Sequence, residues 1–407
     1  MKKISLLFIC RVLTALVLSL LPAGSFCLHA EARDPFGIEK LIGNTDAVLV
    51  AGPDGKIIYS RNMDQQMVPA SALKVFTALT ALHYLGPDYR FPTEFYIDGN
   101  NNLIIKGYGD PLLISETVEQ IAVQVARHLP VVADIVLDDV FFAKPIDIPG
   151  ASTLSRNPYN APNGALCVNF NTVHFTRDKG ILVSAEPQTP LLPLALKRIR
   201  GSNPDAGRIT FSFDGDEITT YAGELFIHFF RDAGMTVTGG LRLGRVDPAK
   251  DRLIYRHASE YCVTDIIERL LKYSNNYIAN QLLISIGASV YGPPGTLEKG
   301  VAAANGYANK VLGIREIVIA EGSGLSRMNR ASAAMFFKML DVFAPYHALM
   351  PTEGSDFFKT GTLSGIRTRV GYIRCGGDDL YRYVILLNTP DKTVDPIIRR
   401  IISYLQQ

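Results

Sequence analysis

Val68-Pro69-Ala70-Ser71-Ala72-Leu73-Lys74-Val75-Phe76-Thr77-Ala78-Leu79-Thr80-Ala81-Leu82-His83-Tyr84-Leu85-Gly86-Pro87 is the stretch from which the rest of this 407-residue chain is best read. It predicts a helix from Pro69 to Tyr84, entered at a proline and stopped at Gly86-Pro87. The segment is apolar nearly all round, and a helix with no polar face is normally buried. Its polar members (Ser71, Lys74, Thr77, Thr80 and His83) step by three, so they wind around the axis and form no solvated stripe. His83 therefore reads as a core histidine, and Lys74 as more than a surface lysine. At i and i+3, Ser71 and Lys74 share the first turn. Burial disfavours an ammonium and makes a lysine usable as a base near neutral pH. The free N–H groups of a helix N-terminus can stabilise an oxyanion beside the serine. Taken alone, the pair reads more readily as an N-cap serine with an unrelated lysine.

Two later segments supply further chemistry. Ser274-Asn275-Asn276 interrupts a helical pattern. Before it, Asp265–Lys272 carries Ile266, Ile267, Leu270 and Leu271, opened by an Asp265-x-x-Glu268 capping pair. After it, an apolar-periodic run extends from Tyr277 to Gly287. Such a joint is by itself an ordinary turn, because Ser and Asn side chains compete locally for backbone groups. Lys359-Thr360-Gly361-Thr362 falls in an expected strand, Asp356–Leu363. That strand precedes Thr368–Cys375 and Leu380–Asn388, which are joined at Gly376-Gly377-Asp378-Asp379. A strand glycine often marks close approach by a ligand or another backbone. Lysine and threonine there can bind a carboxylate; the plain alternative is an exposed edge lysine.

Ser-x-x-Lys, Ser-x-Asn and Lys-Thr-Gly in this order resemble the signature of penicillin-binding proteins and class A β-lactamases. Within that superfamily the chain looks like the class C, low-molecular-mass penicillin-binding proteins, the D-alanyl-D-alanine carboxypeptidases and endopeptidases of the Dac-B type. The likeness runs from about Val48 to the C-terminus. It takes in Gly107-Tyr108-Gly109-Asp110-Pro111-Leu112, Ala161-Pro162-Asn163-Gly164-Ala165-Leu166 and Gly322-Ser323-Gly324-Leu325-Ser326-Arg327. The resemblance implies Ser71 as acylated nucleophile, Lys74 as its general base and Ser274 as proton relay to the leaving amine. It implies Asn276 on the substrate amide, Lys359 as a source of positive potential, and Thr360 and Thr362, flanking Gly361, on the terminal carboxylate. The backbone N–H groups of Ser71 and Thr362 would form the oxyanion hole. Which group takes the first proton is left open. Peptidoglycan peptides ending in D-Ala-D-Ala would be substrates and β-lactams covalent inhibitors. No cofactor or metal is implied, and peripheral contact with the membrane or with cell-wall enzymes is compatible with it.

The chain also departs from the family pattern. Relatives often carry an acidic residue ahead of the Ala-Pro segment, to read the substrate side chain. Ser155-Arg156-Asn157-Pro158-Tyr159-Asn160 offers none, which leaves Arg327 as a substrate-binding candidate or as a loop residue. Class A β-lactamases place an asparagine four residues after their deacylating glutamate. None of Glu298, Glu316, Glu321 and Glu353 has one, so slow release of a penicilloyl group is expected. The rival from another class is a non-catalytic envelope protein that binds peptidoglycan or a cell-wall synthesis partner.

Lys2-Lys3, an apolar stretch from Ile4 to Leu21 and Ala30-Glu31-Ala32 read as a secretory signal peptide over residues 1–32. The alternative, an uncleaved anchor, is disfavoured by Arg11 and by the shortness of the unbroken run Val12–Pro22. Its removal takes three of 41 basic and one of 39 acidic residues, leaving 38 of each. A neutral chain has no electrostatic case for nucleic acid. Cys167, Cys262 and Cys375 then remain, an odd and widely spaced set that reads as small buried hydrophobes. The expected fold is α+β: a penicillin-binding-protein/β-lactamase-like domain of antiparallel sheet flanked by helices, split by an inserted smaller αβ/β region. The divisions are 33–90 for its first part, 91–254 for the insert, with strands such as Asn102–Lys106, Ile135–Leu137 and Thr236–Leu243, and 255–407 for its second part. A periplasmic or cell-envelope location is expected.

Overall fold

A computed structural model describes residues 34–407, apart from 202–204 and 214. The expected leader and its cleavage after Ala32 lie outside the described residues. Six antiparallel strands form the sheet that carries the site. Their order is Thr352–Glu353, Asp356–Leu363, Ile366–Arg374, Leu380–Leu387, Ala47–Ala51 and Ile57–Arg61. Among the described residues the first strand, Ala47–Ala51, thus pairs with the last, Leu380–Leu387, Ala47 lying opposite Leu386 and Ala51 opposite Arg382.

Period-two alternation explains why Ala47–Ala51 is buried at every position. Ala47, Leu49 and Ala51 face the main core, and Val48 and Val50 face a smaller one on the other side. The C-terminal helix Asp395–Leu405 closes the smaller side with Ile397, Ile398 and Ile401. On the main side, helix Lys74–Tyr84, which follows the Ser71 turn, packs with helices Asn276–Tyr291 and Ala333–Phe343. From Lys74 to Leu82 every residue of that helix is buried, as its sequence demands.

Between residues 90 and 262 the chain builds separate sheets. A five-stranded mixed sheet has the order Leu241–Leu243, Ile135–Asp138, Leu103–Gly107, Arg90–Ile97, Arg252–Cys262. A three-stranded antiparallel one is built from Ile181–Ser184, Thr172–Asp178 and Gly207–Thr210. Helices Ser115–His128 and Glu217–Asp232 belong to this region, the second followed by Gly234 at φ 85°. Among the described residues no helix is long and apolar enough to cross a membrane.

Four local expectations need correction. The segment Thr236–Leu243 is not one strand. Thr236–Val237 pairs with Val131–Val132, and Leu241–Leu243 pairs with Ile135–Asp138 in a different sheet. Gly239-Gly240 allows the break, with the Gly240 N–H donating to Asp134 Oδ1 at 2.9 Å. The helix expected from Asp265 starts at Val263, and Asp265 acts as its third residue: its carboxylate accepts the Cys262 N–H at 2.9 Å, so no Asp265–Glu268 pair opens it. His83 is exposed, because it sits in the last turn, where the covering elements end; its ring packs 4.7 Å from that of Tyr307. Among the described residues Cys167, Cys262 and Cys375 are free thiols, and of the three expected to be buried only Cys167 is, Cys262 and Cys375 being partly exposed.

Candidate active site

Ser71 sits in a tight 3-10 turn, Ala70–Leu73, which runs directly into the helix beginning at Lys74. Ala70 has φ +47°, a strained conformation for a residue with a Cβ. What holds it there is convergence. Thr368 Oγ1 donates to the Pro69 carbonyl at 2.9 Å. Gly324, at φ +80°, lies so close that a Cβ there would collide with the Ala70 carbonyl. A Cβ at Gly361 would come within 2.7 Å of the Ser71 nitrogen. The glycine in the Lys-Thr-Gly segment is therefore required by the close approach of the strand to the Ser71 turn.

Lys74 is fully buried. Its Nζ lies 2.9 Å from Ser71 Oγ, 2.8 Å from Asn276 Oδ1 and 2.7 Å from the Ser323 carbonyl oxygen. Two of these three neighbours can only accept. A neutral amine has two N–H groups and one lone pair, so with both N–H groups given to the carbonyl oxygens the lone pair faces the serine hydroxyl. Burial, and then the positive charge of Lys359, hold the Lys74 pKa well below the usual lysine value, while Glu321 pulls it upward. The geometry and the direction of the shift both suit an amine that takes a proton from the Ser71 hydroxyl.

Asn276 opens the helix Asn276–Tyr291 and is capped from behind by Asn275, whose Oδ1 accepts the Ile278 N–H at 3.1 Å. Its own Nδ2 donates to the Tyr159 carbonyl at 3.2 Å, which fixes the amide with its oxygen toward Lys74. Ser274 is left-handed at φ 52°, ending the preceding helix. Its hydroxyl has no protein partner among the described residues and stays partly exposed.

The strand Asp356–Leu363 has the bounds its sequence gives, and its pleat separates the motif. Lys359 and Gly361 are buried, while Thr360 and Thr362 are exposed. Lys359 Nζ donates to the Thr360 carbonyl at 2.7 Å, and burial pulls its pKa down to about 8. Beyond Phe357 the outer edge of this strand has no partner strand among the described residues, and the Ser71 turn lies against it. Such an edge can take an extended peptide. The strand is anchored at its start by Asp356, whose carboxylate accepts from Arg369 at 2.6 Å and from the Tyr383 hydroxyl at 2.7 Å. Arg327 is exposed and donates to the Ser364 carbonyl, tying its own loop to the turn after the lysine strand.

The support that holds Ser323 does not follow from the motifs. Glu321 is completely buried. Its Oε2 accepts the Ser323 N–H and Oγ–H, both at 2.6 Å, and Asn280 Nδ2 at 3.1 Å. Its Oε1 accepts the Ser326 N–H at 3.2 Å and Asn329 Nδ2 at 2.8 Å. One carboxylate thus organises the loop whose carbonyl receives Lys74. The only hint in the sequence is an acidic residue directly beside a Gly-Ser-Gly turn, after alternating Ile317 and Ile319.

A buried lysine aimed at a serine on a strained turn, with a cationic strand at the rim, defines a serine acyl-transfer site that works without histidine. Comparison with known proteins gives the same class. The model of the D-Ala-D-Ala carboxypeptidase 3 (S13) family matches residues 37–203 and 196–353, and the chain belongs to that family. It is similar to the D-alanyl-D-alanine carboxypeptidase of Actinomadura sp. (strain R39), with 29% identity over 413 aligned positions, covering 80% of this chain and 74% of that protein. The crystal structure of penicillin-binding protein 4 (dacB) from Haemophilus influenzae superposes with a TM-score of 0.73 at 19% identity, covering 91% of this chain and 98% of that one. The penicillin G-acylated Bd3459 predatory endopeptidase of Bdellovibrio bacteriovorus, solved with an immunity protein, matches at TM-score 0.52 and 16% identity, over 88% of this chain and 92% of that one. These structural likenesses bear out the expected α+β fold.

Proposed function

We propose that the protein is a penicillin-sensitive serine D-Ala-D-Ala carboxypeptidase, D,D-endopeptidase or both, acting on peptidoglycan peptides through an acyl-enzyme on Ser71. The observation that carries this reading is the Lys74 amine, buried and held by two carbonyl oxygens with its third neighbour the Ser71 hydroxyl. In the first half-reaction Lys74 accepts the Ser71 proton, and Oγ attacks the carbonyl carbon of the penultimate D-alanine. The oxyanion forms beside the N–H groups of Ser71 and Thr362. The C–N bond breaks as the Ser274 hydroxyl relays to the leaving amine the proton that Lys74 had taken from Ser71, which leaves Lys74 neutral and Ser274 a hydroxyl again. Water then attacks the ester, with Lys74 as base, and Ser71 regains its proton. Asn276 orients both Lys74 and the substrate amide. Lys359, with the Thr360 and Thr362 hydroxyls, receives the terminal carboxylate across the Gly361 segment, and Arg327 at the rim meets the substrate side chain.

A β-lactam presents a carboxylate and an acylating carbonyl to the same groups and is retained as a stable ester. The site of action is the periplasm or cell envelope, reached through the N-terminal leader. Labelling with a fluorescent penicillin tests the assignment: wild type is tagged and folded Ser71→Ala is not. Folded wild-type protein that stays unlabelled would favour a binding protein over an enzyme, and rapid penicillin hydrolysis would favour a β-lactamase. Mass spectrometry of products from defined muropeptides assigns the bond cleaved.

A further inference from the structure

A second cavity, of about 520 Å³, lies on the other side of the Ser274–Asn276 joint. Its wall and the active-site wall are the same pieces of chain. Asn276 reaches Lys74, whereas Tyr273, Asn275, Tyr277 and Ile278 line the second cavity. The Tyr159 carbonyl holds Asn276, whereas Pro158 lines the cavity. The volume falls in the usual range for small-molecule sites, about 300–1,000 Å³.

The cavity is built rather than incidental. Asn169, Phe170 and Asn171 are three consecutive left-handed residues, with φ 50°, 58° and 51°. Left-handed backbone is costly for a residue like Phe170 and persists only where its surroundings enforce it. Here Asn169 Oδ1 accepts the Ser115 N–H and its Nδ2 donates to Ser115 Oγ, both at 2.9 Å. Asn171 Nδ2 donates to the Pro162 carbonyl at 2.8 Å. The strained turn places Phe170 in the cavity, edge-on to Tyr277 with ring centres 6.1 Å apart.

The charged groups of the lining differ in how they are used. Arg208 is paired with Glu186 and neutralised. Arg269 is not: its guanidinium stacks on Tyr261 at 4.2 Å and donates to the Asp265 carbonyl at 3.2 Å, with no carboxylate in ion-pair range among the described residues. Glu116, half-buried on the first turn of helix Ser115–His128, has a carboxylate with no hydrogen-bond or ion-pair partner among the described residues. One available cation, one available anion and a floor of Leu112, Ile114, Phe170 and Ile278 together select a ligand with both charges and an apolar body.

We propose that this cavity is a binding site for a short peptide with free ends, its carboxylate on Arg269, its ammonium on Glu116 and an apolar side chain against Phe170 and Tyr277. The site is separate from bond cleavage at Ser71, although its occupant touches the segments that hold Asn276.

Calorimetric titration of the full protein with a free-ended alanyl-phenylalanyl-alanine tripeptide of L residues tests it. The expected result is saturable binding with Kd of about 1 mM or tighter. Amidating the carboxylate or acetylating the amine should weaken it roughly tenfold or more. Arg269→Gln should bind the acid and the amide alike, and Glu116→Gln the amine and the acetylated amine alike. Both comparisons are internal to one folded variant, so a change in stability does not imitate them. Binding should persist after the protein is blocked with penicillin. Absence of saturable binding up to about 10 mM, equal affinity for free-ended and doubly capped peptide, or loss of binding on penicillin blockade would each overturn the proposal. Ser71 labelling reads the catalytic assignment independently.

Discussion

Replacing Glu321 by glutamine tests how the base is held, because the substitution keeps shape and removes one acceptor oxygen. Three donors converge on Oε2 and two on Oε1. A glutamine amide has a single oxygen. Keeping it on the three-donor side turns its NH2 toward the Ser326 N–H and Asn329 Nδ2. At least two buried donors then lose their acceptor, at about 1–3 kcal/mol each, so the variant should be less stable by roughly 2–6 kcal/mol. The second effect is electrostatic. The Glu321 charge raises the Lys74 pKa, so its loss lets the amine shed its proton at lower pH. The acid limb of the acylation profile should therefore move to lower pH. The plateau rate should fall as well, because the Ser323 loop carries the carbonyl that receives Lys74. Denaturant unfolding and stopped-flow labelling with fluorescent penicillin across pH measure the two effects separately. A variant within about 0.5 kcal/mol of wild type, with its acid limb unmoved, would refute the account of Glu321 as the organiser of the base.

Lys74→Ala should remain folded while losing acylation by roughly 10²–10⁴, the usual general-base contribution; circular dichroism and labelling rate check the two halves. Gly324→Ala combines a disfavoured positive φ with a clash at the Ala70 carbonyl. It should lose both stability and labelling, and unchanged labelling would mean that the Ser71 turn yields easily. Lys359, with its pKa near 8, is cationic below that pH and neutral above it. Affinity for a carboxylate-terminated peptide should therefore fall as pH rises through about 8. The corresponding C-terminal amide should show no such fall, and parallel profiles for the two would count against Lys359 as the carboxylate's partner.

The strand Asp356–Leu363 and the buried Lys74–Leu82 run were legible because each is specified locally, one by the turn residues Gly354-Ser355 and Ser364-Gly365 that bound it and the other by an almost unbroken apolar surface. The contact between Lys74 and Asn276 is of another kind. It joins positions 202 residues apart, and no periodicity reports it; only the ordered motifs and their family resemblance pointed there. The part Glu321 plays is not legible in the sequence, because its partners are two backbone N–H groups, the Ser323 hydroxyl and two asparagines, a set that no motif or periodicity marks. The split of 236–243 between two sheets is illegible for the same reason, since short strands take their neighbours from tertiary context rather than from propensity. His83 shows the reverse error: a pattern that predicts burial for a whole helix does not say where its cover stops.

Because Ala47–Ala51 pairs with Leu380–Leu387 rather than only with its own hairpin neighbour, this enzyme cannot be assembled progressively from its amino end. A chain still being synthesised, or one lacking its last few dozen residues, has Ser71 and Lys74 but neither the closing strand nor the sheet that brings Lys359 to them. Contacts of such high sequence separation form slowly. Competence for acylation therefore waits for Leu380–Leu387 to be made, and a nascent or truncated product without that strand is a dormant one.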